Sequence, residues 1–423
     1  MANIHKKSIT QSLALAAGTL LASAAQAEQS DSGQVDNKWN VDVGYLHYNE
    51  PNYITVDTYM AMISGSLSDQ DSIKLGLVFD TLTGATPTGA LPGSESVTVS
   101  GVSGGSVNSG GSVNSGGGTG GTSAFDDTRL AVDATWGHEW QRLIRSNVGA
   151  HVSVEGDYTS IGGSFSMEKD SADRTYTYTT GFGITADTVG RSNEQTPEPL
   201  TESSVGQMNS AGHKNSFDTL FGISAIINRH TVAMINFSYS RSLGYHTDPY
   251  KVISIADSND DELTTVYEHR PDSRERFIIF SKLKHEIPKS GNHISLSYRY
   301  HSDNWQLNSH TLETSYRFEI ENKHAIEPFA RLSQQQGAEF YMRAIDYSGE
   351  VTFDNVELPS HASADIRLAQ MLSATIGTKF QYKTSDKGSI DFRLAYYYRQ
   401  YEDATIDNDD ALFFVMDLGK SFD

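Results

Sequence analysis

From Lys38 to the end of the chain, apolar or aromatic residues recur at every second position in one segment after another, with small, polar or charged residues between them. That period belongs to β-strands, whose side chains alternate between two faces. In 292–301, Ile294, Leu296, Tyr298 and Tyr300 share one face while His293, Ser295, Ser297, Arg299 and His301 share the other. Leu130, Val132, Ala134, Trp136 and Trp140 oppose Asp127, Arg129, Asp133, Thr135 and Glu139 in the same way. The runs Val148, Ala150, Val152, Val154; Tyr176, Tyr178, Phe182, Ile184; Ala233, Ile235, Phe237, Tyr239; and Phe392, Leu394, Tyr396, Tyr398 repeat the pattern. One face of each strand suits hydrocarbon and the other suits water.

About sixteen such strands are predicted, an even number, as closure of a single-chain bacterial barrel requires. They start near Lys38, Thr55, Asp71, Asp126, Ser146, Ser160, Arg174, Ser216, Thr231, Ser273, His293, Gln306, Ala325, Met371, Ile390 and Asp410. The connections after even-numbered strands are turn-like (SDQD, QRLIR, KDSAD, NRH, PKSGN, ENKH, SDKGS). The long ones, 84–124, 190–215, 242–272 and 337–370, all follow odd-numbered strands. That parity is the asymmetry of periplasmic turns and extracellular loops, and it places both termini in the periplasm. A soluble β-sandwich has no need of it. Trp39 and Trp140 would then lie in the periplasmic aromatic girdle.

The first 27 residues carry Lys6 and Lys7, an apolar middle and an A-Q-A ending, which read as a secretory signal peptide. Residues 28–37 then form a periplasmic segment and 38–423 the barrel. Loss of the signal takes the formal charge from −21 to −23, too acidic for a nucleic-acid partner. With no cysteine, disulfides, thiolate metal sites, iron–sulfur clusters and covalent haem attachment are excluded. Beyond the signal no apolar run is long enough for a helical span, while a barrel spans with alternating strands at a polar mean hydropathy such as the −0.43 found here. The final strand, ALFFVMDLGKSFD, resembles the terminal assembly signal of outer-membrane barrels, with Phe422 penultimate rather than last.

Several segments are similar to a family of predicted proteobacterial outer-membrane proteins, domain of unknown function 3570. They include DDTRLAV (126–132), DYTSIG (157–162), INRHT (227–231), SRSLGYHTDPYK (240–251), YEHRPDSR (267–274), SYRYHSDNWQLNSHTLE (297–313) and HASADIRL (361–368). The resemblance implies a barrel in the outer membrane, with no assigned activity. It further implies a periplasmic redox setting, with a lipoprotein or redox protein as partner besides outer-membrane lipid.

The loop at 83–124 holds two GGSVNS units and a GGGTGGTS tract, a composition that reads as a flexible extracellular tether. In the 242–272 loop, His246, Asp248, His269, Arg270 and Asp272 are binding candidates, four of them nitrogen or oxygen donors for a divalent cation, though at no known metal spacing. The alternative is that Asp-Pro and Arg-Pro-Asp set turns, Arg270 and Arg274 pair with acids to hold the loop over the mouth, and the acidic run Asp257, Asp260, Asp261, Glu262 is a solvated tip. Asp407, Asp409 and Asp410 lack the glycine and glutamate of a calcium loop. No nucleophile elbow or other motif names a reaction, so no catalytic residue, cofactor or metal is assigned and no enzyme is expected.

Inward-facing charges remain: Arg129, Asp133, Glu139, Glu155, Lys282, Lys284, Arg299, Glu313, Arg317, Arg331, Arg393 and Arg399. In an open lumen they set the field for solutes; in a plugged one they pair with each other and with inward-folded loops. The later strands are the more basic. The expected function is a porin-like conduit for small polar solutes, with a non-conducting scaffold or binding barrel as the alternative and an outer-membrane enzyme as a distant third.

Overall fold

The computed structural model describes residues 39–51, 53–91, 122–191, 194–204, 206–321, 323–347, 356–385 and 388–422. The segment predicted to be a signal peptide, residues 28–38 and most of the Gly/Ser tract lie outside these residues.

The chain forms strands almost throughout. In order they are β1 (Trp39–Glu50), β2 (Ile54–Ser66), β3 (Asp71–Pro87), β4 (Thr122–Gln141), β5 (Ile144–Glu155), β6 (Tyr158–Asp170) and β7 (Tyr176–Val189). Next come β8 (Gln195–Pro197), β9 (Met208–Ser210), β10 (Gly212–Asn228), β11 (Thr231–Gly244), β12 (Val252–Ala256), β13 (Glu262–Tyr267) and β14 (Ser273–Glu286). Last are β15 (His293–Asp303), β16 (Ser309–Ile320), β17 (His324–Gln335), β18 (Ala344–Asp346), β19 (Gln370–Ser385), β20 (Gly388–Glu402) and β21 (Asn408–Phe422). Sixteen of these close an antiparallel barrel, with β1 sealed against β21 from Trp39↔Phe422 to Asn49↔Leu412. Closure pairs every strand edge, as a lipid-facing backbone requires.

The alternating residues sort as their chemistry demands. Leu296, Ile376, Ile184, Phe221 and Leu332 are 47%, 62%, 62%, 55% and 58% exposed on the outer surface. Trp39 opens β1 and Trp140 lies near the end of β4, both at the end of the barrel with the short turns. There Trp140 stacks edge-on to His138, which stacks on Trp136, and its indole N–H donates to Ser146. Phe380, Phe392 and Phe414 form a second aromatic row with centroids 6.5 and 6.2 Å apart. Trp305, by contrast, is 3% exposed inside the loops at the opposite end.

β4 and β10 start four residues earlier than the alternation predicts, because Thr122–Asp126 continue pairing with Thr83–Pro87 and Gly212–Asn215 with Ala186–Val189. These extensions carry little apolar alternation, so no period marks them.

Inside the barrel, burial changes along the axis. Near the loop end Thr58, Asp80, Arg129, Ser153, Glu155 and Arg399 are buried. Toward the turn end the Asp133 side chain is 51% exposed, and Glu139, Lys282 and Lys284 are exposed. The filled part of the lumen is the loop end.

Candidate functional site

What fills that end is a folded cap built from the long connections. β12 and β13 form a hairpin, and β18, from the β17–β19 connection, pairs in parallel with β12. The sequence VISIADSNDDELTTVY explains the hairpin: two apolar-alternating arms flank a polar tip. Asp257 accepts the backbone N–H groups of Asn259 and Asp261, Asp260 adopts φ 64°, and its carboxylate pairs with Arg343. The acidic run is therefore a hairpin tip.

Ile253, Ile255, Val266, Ile345, Ala362 and Ala364 make the cap's own core, none more than 5% exposed. The β7–β10 connection joins through Glu202↔Val266 and the Leu200 and Ser203 N–H groups. The β3–β4 connection joins where Leu91 N–H donates to Ser254 Oγ and Val252 N–H to the Thr88 carbonyl. Gly89 is needed there twice over, since its φ is +98° and a Cβ would lie 2.2 Å from the Val252 carbonyl. Trp305 and Leu307, between β15 and β16, pack on Phe340 and Leu368 of the β17–β19 connection.

At the centre lie three cations, Lys251, Arg270 and Arg367, with three carboxylates, Asp248, Glu268 and Asp365. Arg270 contacts Glu268 at 2.7 Å and Asp365 at 2.8 Å; Lys251 is 3.9 Å from Asp365 and also donates to the Pro87 carbonyl. Glu268 accepts from the Asp248 N–H and from Ser363. Lys251, Glu268 and Asp365 are fully buried. Burial pushes the Lys251 ammonium down to about 8, only partly opposed by Asp365, and pushes Glu268 up against the pull of Arg270. For Arg270 burial acts to lower the pKa, but Glu268, Asp365 and Asp248 outweigh it and hold it above its ordinary value.

The five loop candidates do not converge on a cation. Asp248 and Arg270 belong to this ionic core, His269 stacks on His361 and meets the Ser360 carbonyl, and Asp272 is exposed. His246 donates through Nδ1 to the Gly244 carbonyl, meets Ser242 through Nε2 and packs edge-on against Trp305, over which the Arg274 guanidinium sits at 4.3 Å. Arg274 pairs with Asp303 at 2.6 Å. The arginines hold the loop, as the second reading of this segment expects. Asp407, Asp409 and Asp410 do not form a calcium loop: Asp409 binds Arg399 and Tyr401, and the Asp407 carbonyl accepts the Tyr401 N–H.

Burial, with Lys214, Arg274 and Arg270 nearby, lowers His246 to about 4. The folded pKa thus lies below that of an unfolded histidine, so the neutral ring's contribution is complete above about 6.5 and is lost as pH falls toward 4. The shift corresponds to on the order of 3 kcal/mol. In a variant retaining Trp305 as its sole tryptophan, emission should fall and cap amides should exchange faster over that pH window. The same titration in H246F should be flat, and an unchanged profile in both proteins would remove this role for His246.

Among the pore-lining candidates, Arg129, Glu155 and Arg399 are corrected: they are buried beneath the cap and do not line an open lumen. Arg129 binds Asp80 at 2.5 Å and lies 3.9 Å from Glu155; Arg399 binds Glu50 and Asp409. Lower down, Asp133 pairs with His151, Arg331 with Glu313, and Arg317 with Glu319 and Glu327. Lys282, Lys284, Arg299 and Arg393 face the lumen without an ion pair of 4.0 Å or less among the described residues. Lys379 joins them, and the alternation Leu372, Ala374, Ile376, Thr378, Phe380 would have placed it inside.

One acidic group went unrecognised in the sequence. Asp127, Glu155 and Asp157 bring carboxylate oxygens within 4.8 Å of one another at the loop end of β4 and β5. Such a set of hard oxygens suits calcium or magnesium, but the Arg129 guanidinium competes for Glu155.

Solved structures similar to this chain are distant from it in sequence. A bacterial polysaccharide outer membrane secretin is similar at 9% identity and a TM-score of 0.46, covering 92% of this chain and all 100% of that one. OpdO of Pseudomonas aeruginosa gives 7%, 0.42, 92% and 97% for the same quantities, and the siderophore receptor PirA of Acinetobacter baumannii 8%, 0.39, 92% and 81%. No curated protein matches the chain. The family described as "Protein of unknown function (DUF3570)" matches residues 10–412, nearly the whole sequence, and the chain belongs to that family.

Proposed function

We propose that this protein is an outer-membrane barrel whose extracellular mouth is closed at rest by its own loop cap, leaving a water-filled, basic-walled vestibule open to the periplasm. On this reading it is a gated conduit for small polar solutes and not an enzyme. The apolar outer surface calls for lipid around the barrel, and short turns in such barrels face the periplasm, which puts both termini there. The observation that carries the proposal is the ionic core of Lys251, Glu268, Arg270 and Asp365, at most 5% exposed and tying the β11–β14 and β17–β19 connections together. Loops lining a permanently open eyelet would keep such charges in water.

Planar-bilayer recording tests this. Wild-type protein should give little steady conductance, whereas replacing 250–268 by a short Gly/Ser linker should give long-lived openings. Steady, porin-like conductance by the wild type would refute the closed cap. Silence from both proteins would favour the scaffold reading, a barrel that offers its vestibule to a periplasmic lipoprotein or redox partner.

A further inference from the structure

Nearer the turn end than the cap, on the luminal faces of β19 and β20, Lys379 and Arg393 stand directly opposite each other in the strand register. Like charges so placed repel and destabilise a sheet. Among the described residues neither makes an ion pair of 4.0 Å or less: Glu313 is held by Arg331 and Glu327 by Arg317, and Asp391 and Asp417, which share this wall, stay beyond that distance. Lys379 also lies in the field of Lys282, and Glu327 and Glu313 offset this repulsion from a distance without pairing with Lys379.

Aromatic rings hold Arg393 in place instead. Its guanidinium carbon sits 4.5 Å from the Phe329 ring centroid and 5.5 Å from that of Phe413. Phe329 is 7% exposed and occupies its position because Gly377 has no side chain: a Cβ there would lie 2.6 Å from Phe329 Cζ. Stacking fixes the plane of a guanidinium while leaving its N–H groups free to donate, and the Nε of Arg393 is buried without a hydrogen-bond partner. A planar donor fork, held by rings and facing an ammonium group, is the arrangement that takes a bidentate oxyanion.

We propose that Lys379 and Arg393, supported by Lys282, bind a small, multiply charged oxyanion of the phosphate type that enters from the turn end. More than one negative charge is required, since a single charge would leave much of the cations' mutual repulsion in place. The site rests on the vestibule of the proposed function being open to water, but not on conduction.

The test uses the full-length protein in maltoside micelles at low ionic strength, titrated calorimetrically with inorganic pyrophosphate. Faster migration of unboiled than boiled samples on a detergent gel serves as the check of folding. Wild type should bind, and K379Q/R393Q should bind at least about tenfold more weakly. R145Q removes one positive charge elsewhere on the luminal face, at Glu168 and Asp170, and should bind like wild type. Without pyrophosphate the K379Q/R393Q barrel should be more heat-resistant than wild type, since the substitutions relieve repulsion in a folded protein. The proposal is overturned if wild type shows no binding at millimolar pyrophosphate, or if R145Q weakens binding as much as the double variant does. Neither result depends on whether the barrel conducts.

Discussion

Arg270→Ala should loosen the cap by about 3–5 kcal/mol, the cost of breaking a buried ion pair from one side. Arg270 is 5% exposed and is the cation that Glu268 contacts; Asp365 would keep Arg367 and the more distant Lys251. Glu268 would then be a fully buried carboxylate without its cation. The barrel strands do not depend on this cluster, so the loss should be local. Amides of β12 and β13 should exchange roughly a hundred to several thousand times faster while those of β15 and β16 keep their protection. Replacing both partners by shape-matched neutral groups, as in E268Q/R270M, should restore much of the protection, because no unpaired charge is left behind. If the single variant exchanges like wild type, the ionic core does not hold the cap.

The barrel was legible in the sequence because every strand must put apolar side chains in lipid and polar ones toward the lumen, and this leaves a period-two trace. Loop parity was legible for a related reason, since turns on one side need only reverse the chain. The cap was not, because its strands are three to six residues long and pair across connections distant in sequence, as β12 does with β18. Its core residues, Ile253, Ile255 and Val266, are small in number and sit beside the acidic tip that dominated the reading of that segment. For the inward charges, the alternation told which face Arg129, Arg317 and Arg393 occupy but not what lies across from them. Arg317 turned out to be neutralised by Glu319, two residues along the same strand, and by Glu327, whereas Arg393 was left to its aromatic neighbours. Pairing depends on register and on loops folding back, and neither is written in a local period.

Leu296→Lys should impair assembly by about 2–4 kcal/mol if the residue lies near the bilayer midplane, while the neighbouring Ser297→Lys should assemble normally. Leu296 is 47% exposed on the outer face, paired with Thr314 and Leu283, so an ammonium there would point into hydrocarbon. Ser297 is on the luminal face, with Lys282 opposite on one side and Glu313 on the other. A lysine at 297 finds one like and one opposite charge in a solvated lumen, and its net cost is small. Because adjacent residues are compared, backbone propensity and distance from the turn are nearly the same, and only the facing differs. The readout is the fraction of heat-modifiable protein recovered from the membrane for each variant. Equal recovery would mean that the outer surface is not in lipid, and reversed sensitivity would mean that β15 is displaced by one residue from the register in which His293 meets Arg317 and Tyr300 meets Ile279.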